Sequence, residues 1–248
     1  MTFAAALLLA LTPAEGLARL AKDDGIEIVV LRAPVRIRRD GYAVAAEGVP
    51  ETVLAAYAPI LDAEWRRYPA SFMRYVGLKR IVIGSKVRVE DQPRAAVPEF
   101  DQGWLWLDAE VGSRLPNYGR RSLHHDFFHM VDRRMNPGQQ GRDPAWAALN
   151  PPNVRYGNGG WWMQKGDVGR LRADLPGFLT AYSTSAVEED KAEVFSHLLC
   201  DPAFVAERAA ADPVMRVKVG RLKSTLLDFD PDISPSWWPK APPALGSS

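Results

Sequence analysis

The chain has 248 residues, 47% hydrophobic and 25% charged, so it can bury a large core without disulfides or a structural metal. With 31 basic and 30 acidic residues its net charge is +1, which excludes a dominant nucleic-acid footprint. Its single cysteine, Cys200, excludes an intramolecular disulfide and, after Leu198 and Leu199, reads as a small buried residue.

The first apolar run, Phe3 to Leu11, has the length of a signal-peptide core and is too short to span a bilayer. No Lys or Arg precedes it, and Thr12-Pro13-Ala14-Glu15 also reads as a capping box with Pro at the first helical position. Residues 1–22 are therefore either an export signal, implying a periplasmic or secreted protein, or an N-terminal helix carrying Leu17 and Leu20. No other segment is a transmembrane candidate.

Residues 23–233 read as a single domain. Ile26 to Leu31 is β-rich and predicts a strand. Glu51 to Tyr68 carries a helical stripe (Val53, Leu54, Tyr57, Ile60, Leu61, Trp65) that Pro69 ends. Lys79 to Gly84 predicts a strand, and Gln92 to Phe100, with two prolines, predicts a loop. Gly103 to Asp108 is bulky and apolar and predicts another strand. Tyr118 to Arg134 reads as one helix, stopped by Asn136-Pro137-Gly138. Gly141 to Gly177 reads as an irregular lobe dense in Gly, Pro, Asn and Trp. Helices follow over Glu188 to Leu199, Asp201 to Ala211 and Asp212 to Phe229. Residues 234–248 hold four prolines and read as a tail. The class is α+β, with a mixed sheet in the N-terminal half and a mostly helical C-terminal half. The pairs Arg66–Arg67, Arg120–Arg121 and Arg133–Arg134 are scattered and read as solvated helix faces.

Three of the four histidines fall in Leu123-His124-His125-Asp126-Phe127-Phe128-His129. On a helix, His125 and His129 lie one turn apart on one face, where both imidazoles reach a single ion. The acid after the first makes this the H-E-x-x-H zinc motif with Asp126 in place of Glu. In that motif the acid binds no metal; it takes a proton from the water the metal activates. Phe127 and Phe128 imply a buried helix, and buried imidazoles need partners. A catalytic zinc takes three protein ligands, so the third is sought among Asp132 and the cluster Glu188-Glu189-Asp190 with Glu193. Asp132 lies too far along the helix to share the ion and suits a partner of a ligating histidine or a surface charge. Glu189 completes the site if its helix packs on the first, and Glu193, one turn on, can orient a ligating histidine.

Together with Tyr182-Ser-Thr-Ser-Ala-Val-Glu-Glu189-Asp-Lys-Ala-Glu193, the His125–His129 motif resembles the gluzincin metallopeptidases, nearest in pattern to the anthrax lethal factor catalytic domain and the Pro-Pro endopeptidases. The resemblance covers about a third of the chain, from Arg121 to Leu199. It implies a zincin-like fold and one zinc ion held by His125, His129 and Glu189. It also places Asp126 as general base, Tyr182 as donor to the oxyanion, and Glu193 behind a ligand. The expected activity is zinc-dependent hydrolysis of a peptide or protein substrate. One departure stands out: Asp126 is a methylene shorter than the family's Glu. Its carboxylate would fall about 1–1.5 Å short, and such misplacement can cost about a hundredfold in rate. A weakly active or inactive binding module, and a zinc hydrolase with a non-peptide substrate, are the alternative readings.

Gly103 to Asp108 is a candidate edge strand for an extended peptide. His124 points about a hundred degrees away from His125 and suits an exposed position or contact with a ligand's neighbour. His197 reads as a packing or capping residue. Trp161-Trp162 and Trp237-Trp238 either line a groove or simply pack.

Overall fold

The structure is a computed structural model that describes residues 13–138, 141–162 and 174–240. It is α+β, with a mixed seven-stranded sheet in the N-terminal half and helices in the C-terminal half. The apolar run Phe3 to Leu11 lies outside the described residues. Pro13–Asp24 is a helix (α1) whose Leu17 and Leu20 enter the core. Among the described residues, no helix is long and apolar enough to cross a membrane.

The strands are β1 (Glu27–Val30), β2 (Val35–Arg38), β3 (Ala43–Glu47), β4 (Arg80–Val89), β5 (Gln92–Pro93), β6 (Ala96–Glu99) and β7 (Trp104–Asp108). The long β4 organises them. Parallel β1 and β7 flank its first half, and antiparallel β3 and β5 flank its second. The predicted strand at Lys79 thus runs five residues past Gly84, through a register shift opposite Ala45 and Glu47. Antiparallel β6 closes the far side of β7.

Two expectations are corrected here. The stretch from Gln92 to Phe100 is not a loop but contributes β5 and β6. Its prolines are tolerated because they lie where the missing N–H faces away from the ladder. Nor is Trp104–Asp108 an edge strand, for it lies between β4 and β6. Its bulk explains this: Leu105 and Leu107 enter one core cluster and Trp106 another on the opposite face, so both faces are buried. The open edge belongs to β6. There the Asp108 N–H donates to the Ala95 carbonyl at 2.9 Å. By the alternation of an antiparallel ladder, Ala96 and Pro98 therefore turn their backbone groups away from β7.

Helices α2 (Glu51–Trp65) and α3 (Ala70–Val76) pack against α1 and α5, and the six-residue α4 (Ala109–Arg114), which lies on β4, leads into α5 (Pro116–Met135). Pro116 starts α5 because its missing N–H is unneeded in a first turn. In the predicted lobe only the short α6 (Pro144–Ala147) and a 3₁₀ turn at Gly160–Trp162 are regular among the described residues. Then come α7 (Val187–Cys200), α8 (Pro202–Ala211) and α9 (Pro213–Phe229). The core centres on α5 and α7: Phe127 sits 4.9 Å from Trp65, and Phe128 sits 4.8 Å from Phe195, by ring centroids.

The C-terminal tail is also corrected in its first part. Trp237 donates to the Arg67 carbonyl at 2.6 Å and Trp238 is buried, so this tryptophan pair packs and lines no groove. Residues 241–248 lie outside the described residues.

Candidate metal centre

Helix α7 brings charge into the core. Glu189, Asp190, Lys191 and His197 are all buried along it, and each finds a partner. Asp190 Oδ2 accepts from Lys218 Nζ at 2.6 Å, Tyr156 Oη at 2.6 Å and Trp146 Nε1 at 2.8 Å. Lys191 reaches across to α5 and pairs with Asp132 there and with Asp143. These ties fix the rotation of α7 and turn Glu189 toward α5.

The result is a buried group of three donors. His125 Nε2 lies 2.8 Å from Glu189 Oε2 and 3.1 Å from His129 Nε2, and His129 Nε2 lies 3.3 Å from the same oxygen. The group could bind a metal ion. The far side of the first histidine faces a second carboxylate. His125 Nδ1 lies 2.9 Å from Glu193 Oε1, and Thr180 Oγ1 donates to Glu193 Oε2 at 2.7 Å. At Nε2 the same imidazole meets a carboxylate oxygen and a second imidazole nitrogen. Two electron-rich atoms at that separation require a cation between them, either a proton or a metal. Burial opposes charge on His125, but Glu189 and Glu193 outweigh it and hold the imidazole well above its usual range. Burial likewise opposes charge on Glu189, yet the two histidines hold it well below the usual carboxylate range. Glu193 is lowered to about 2 by His125 despite its own burial.

Around this group stand the other expected residues. Asp126, partly buried, is pushed up to about 6 by burial, against the pull of His125 and His129. Tyr182 lies in a 3₁₀ turn, its ring centroid 5.7 Å from that of His125. Burial, then the charges of Glu189 and Asp126, push its hydroxyl upward. Thr180 also accepts from the Ser183 amide at 3.1 Å, so one hydroxyl joins the Tyr182 turn to Glu193. All these residues but Thr180 face a cleft of ≈ 580 Å³.

The roof is backbone. Gly157 and Gly159 donate to the carbonyls of Thr184 and Ser185, each at 2.9 Å, which lays this loop along the Tyr182 turn. A Cβ on Gly160 would stand 2.1 Å from the Tyr182 hydroxyl and 2.3 Å from Glu189 Oε1. No side chain fits there, and glycine is what lets the main chain come so close.

Three expectations change. Asp132 does not support a histidine; it pairs with Lys191 and accepts from Asn136 Nδ2 at 2.9 Å, seven residues past His125 and three past His129 on α5. His124 is fully buried rather than exposed. It accepts from Tyr68 at Nδ1 over 2.6 Å and donates from Nε2 to Glu64 at 2.9 Å, away from the cleft. The arginine pairs are not simply solvated, since Arg67 and Arg120 both bind the buried Glu64. His197 packs as expected, with Nδ1 2.9 Å from the Glu193 carbonyl. Trp161 lines the cleft; the side chain of Trp162 lies outside the described residues. Sequence reasoning missed Thr180 and Gly160. Neither carries a motif, although the Gly-rich run before Trp161 signalled close backbone contact.

The fold and site together define an α+β chain with a buried His₂Glu group at the floor of a cleft. No protein-family model matches the chain, and neither a curated protein nor a solved structure does.

Proposed function

We propose that the chain is a zinc-dependent metallopeptidase with a zincin-like fold, its ion held by His125, His129 and Glu189. The observation that carries this reading is the convergence of three electron-pair donors from two helices, with Asp126 and Tyr182 facing the same cleft. The spacing suits the metal. Tetrahedral ligands with bonds of about 2.0–2.1 Å stand about 3.3 Å apart, against the 2.8, 3.1 and 3.3 Å found here. Two imidazoles and one carboxylate are a catalytic zinc set, and Glu193 stands behind His125 at 2.9 Å, where an outer carboxylate customarily does.

A zinc ion held there supplies Lewis acidity, polarising a carbonyl and making water a nucleophile at neutral pH. The chain's own groups do the rest. Asp126 takes the proton of the attacking water and returns it to the leaving amine. Tyr182 turns its hydroxyl toward the oxygen that gains charge. Glu193, itself held by Thr180, keeps its charge against the Nδ1 side of His125 throughout. The free edge of β6 lines the cleft through Ala96 and Pro98 and offers a ladder for extended substrate.

Metal analysis of the purified chain, followed by a peptide-library digest, tests this. Close to one equivalent of zinc, and cleavage abolished by Asp126→Asn with zinc retained, are expected. Less than about a tenth of an equivalent of zinc after gentle purification would overturn the assignment.

A further inference from the structure

The open strand and its approach line the cleft: Arg94, Ala95, Ala96, Pro98 and Phe100 all face it, small in the middle and large at the ends. Each end carries a guanidinium on an aromatic ring. At one, Arg94 stands 5.5 Å from the centroid of Trp161; at the other, Arg133 stands 4.9 Å from that of Phe100. Trp161 and Phe100 are 44% and 38% exposed, among the few large apolar side chains left open to water in the described residues. Arg94 and Phe100 are six residues apart, about 20 Å along an extended chain, so a bound segment of about seven residues reaches both.

The Phe100 end shows what its cation takes. Arg133 Nη2 donates to Asp101 at 2.9 Å, and that aspartate side chain is 84% exposed. A carboxylate so open to water is weakly held and easily exchanged for another. At the Trp161 end, Gln92 Oε1 accepts from Arg94 Nη2 at 2.6 Å and holds the guanidinium over the cleft. A planar guanidinium on a ring is suited to a carboxylate in two-point contact. Of the acids that line the cleft, Asp132 is engaged by Lys191, and Glu189 and Glu193 by the histidines.

We infer that the substrate is an extended peptide carrying an acidic side chain on each side of the scissile bond, received by the Arg94–Trp161 and Arg133–Phe100 pairs. This rests on the peptidase reading for the word substrate, but the recognition can be measured without turnover. The probes are fluorescent eight-residue peptides, blocked at both termini so that only side chains bring carboxylates, with Glu, Gln or Lys at the two outer positions. Binding is read on the zinc-loaded Asp126→Asn chain and cleavage on the wild type.

The Glu peptide should bind and be cleaved about tenfold better than Gln, and the margin should shrink in high salt. Arg94→Glu and Arg133→Glu should each move the preference toward Lys at one end only. Arg94→Gln and Arg133→Gln, gentler changes checked by melting temperature, should erase it at that end. Tight binding of Glu peptides with no cleavage of any peptide would leave this inference standing and remove the peptidase. Cleavage without an acidic preference, a preference for Lys peptides, or a preference that the arginine variants leave unchanged would overturn the inference and spare the peptidase. No binding by any peptide would overturn it as well.

Discussion

At the scale of the residue, the centre depends on a division of labour among acids that differ little in chemistry. Glu189 and Glu193 are both buried carboxylates one helical turn apart, yet one faces the two Nε2 atoms and the other a single Nδ1. Glu189→Gln should therefore abolish stoichiometric zinc. Glu193→Gln should weaken zinc affinity about 10–100-fold, as measured by competition with a chelating dye. Tyr182→Phe should lower kcat about a hundredfold while zinc content stays the same. Gly160→Ala has no room without displacing Tyr182 or Glu189, and should lose activity with little change in overall fold. The histidine pair was legible from spacing, because a helix converts a four-residue interval into a shared face, whereas Glu189 stood among several acids until its helix was known to pack on the first. Thr180, Gly160 and the partner of Asp132 were not legible, because each depends on which segments meet.

At the scale of the element, α5 and α7 are locked by charge as well as by apolar contact. Glu64 on α2 accepts from Arg120, Arg67 and His124. Burial opposes its charge, but His124 and the two arginines lower its carboxyl from 4.5 to about 2. A carboxyl lowered by folding stabilises the native state at pH above its unfolded value, and that contribution is lost as pH falls through the folded value. After discounting for the water that reaches its edge, Glu64 contributes about 2 kcal/mol at neutral pH, fading between about pH 4.5 and 2. Urea titrations should show the wild type losing that margin in acid, and Glu64→Gln already lacking it at pH 7. Lys218→Met should be costlier, about 3–5 kcal/mol, since it strands Asp190 in the core. The helices were legible as elements because their apolar spacing is regular. β6 was not, since Pro93 and Pro98 mark a loop unless the strand is known to lie at an edge.

At the scale of the whole molecule, the ordering of parts was partly visible. Strands before Asp108 and helices after it gave an α+β chain, and that division stands. Where the sheet ends was hidden, since Trp104–Asp108 reads as apolar whether one neighbour flanks it or two. It is the second neighbour that moves the open edge to β6 and hence to the mouth of the cleft.

The two histidines and the glutamate also have a mechanical meaning. His125 and Glu189 are 64 residues apart in the chain, so any ion they share acts as a removable crosslink. Tying the unfolded chain at that interval would cost it entropy worth about 4 kcal/mol on the scale used for disulfides. Stripping the ion with a chelator should then lower the melting temperature, and resupplying it in excess should raise it in proportion to the logarithm of its concentration.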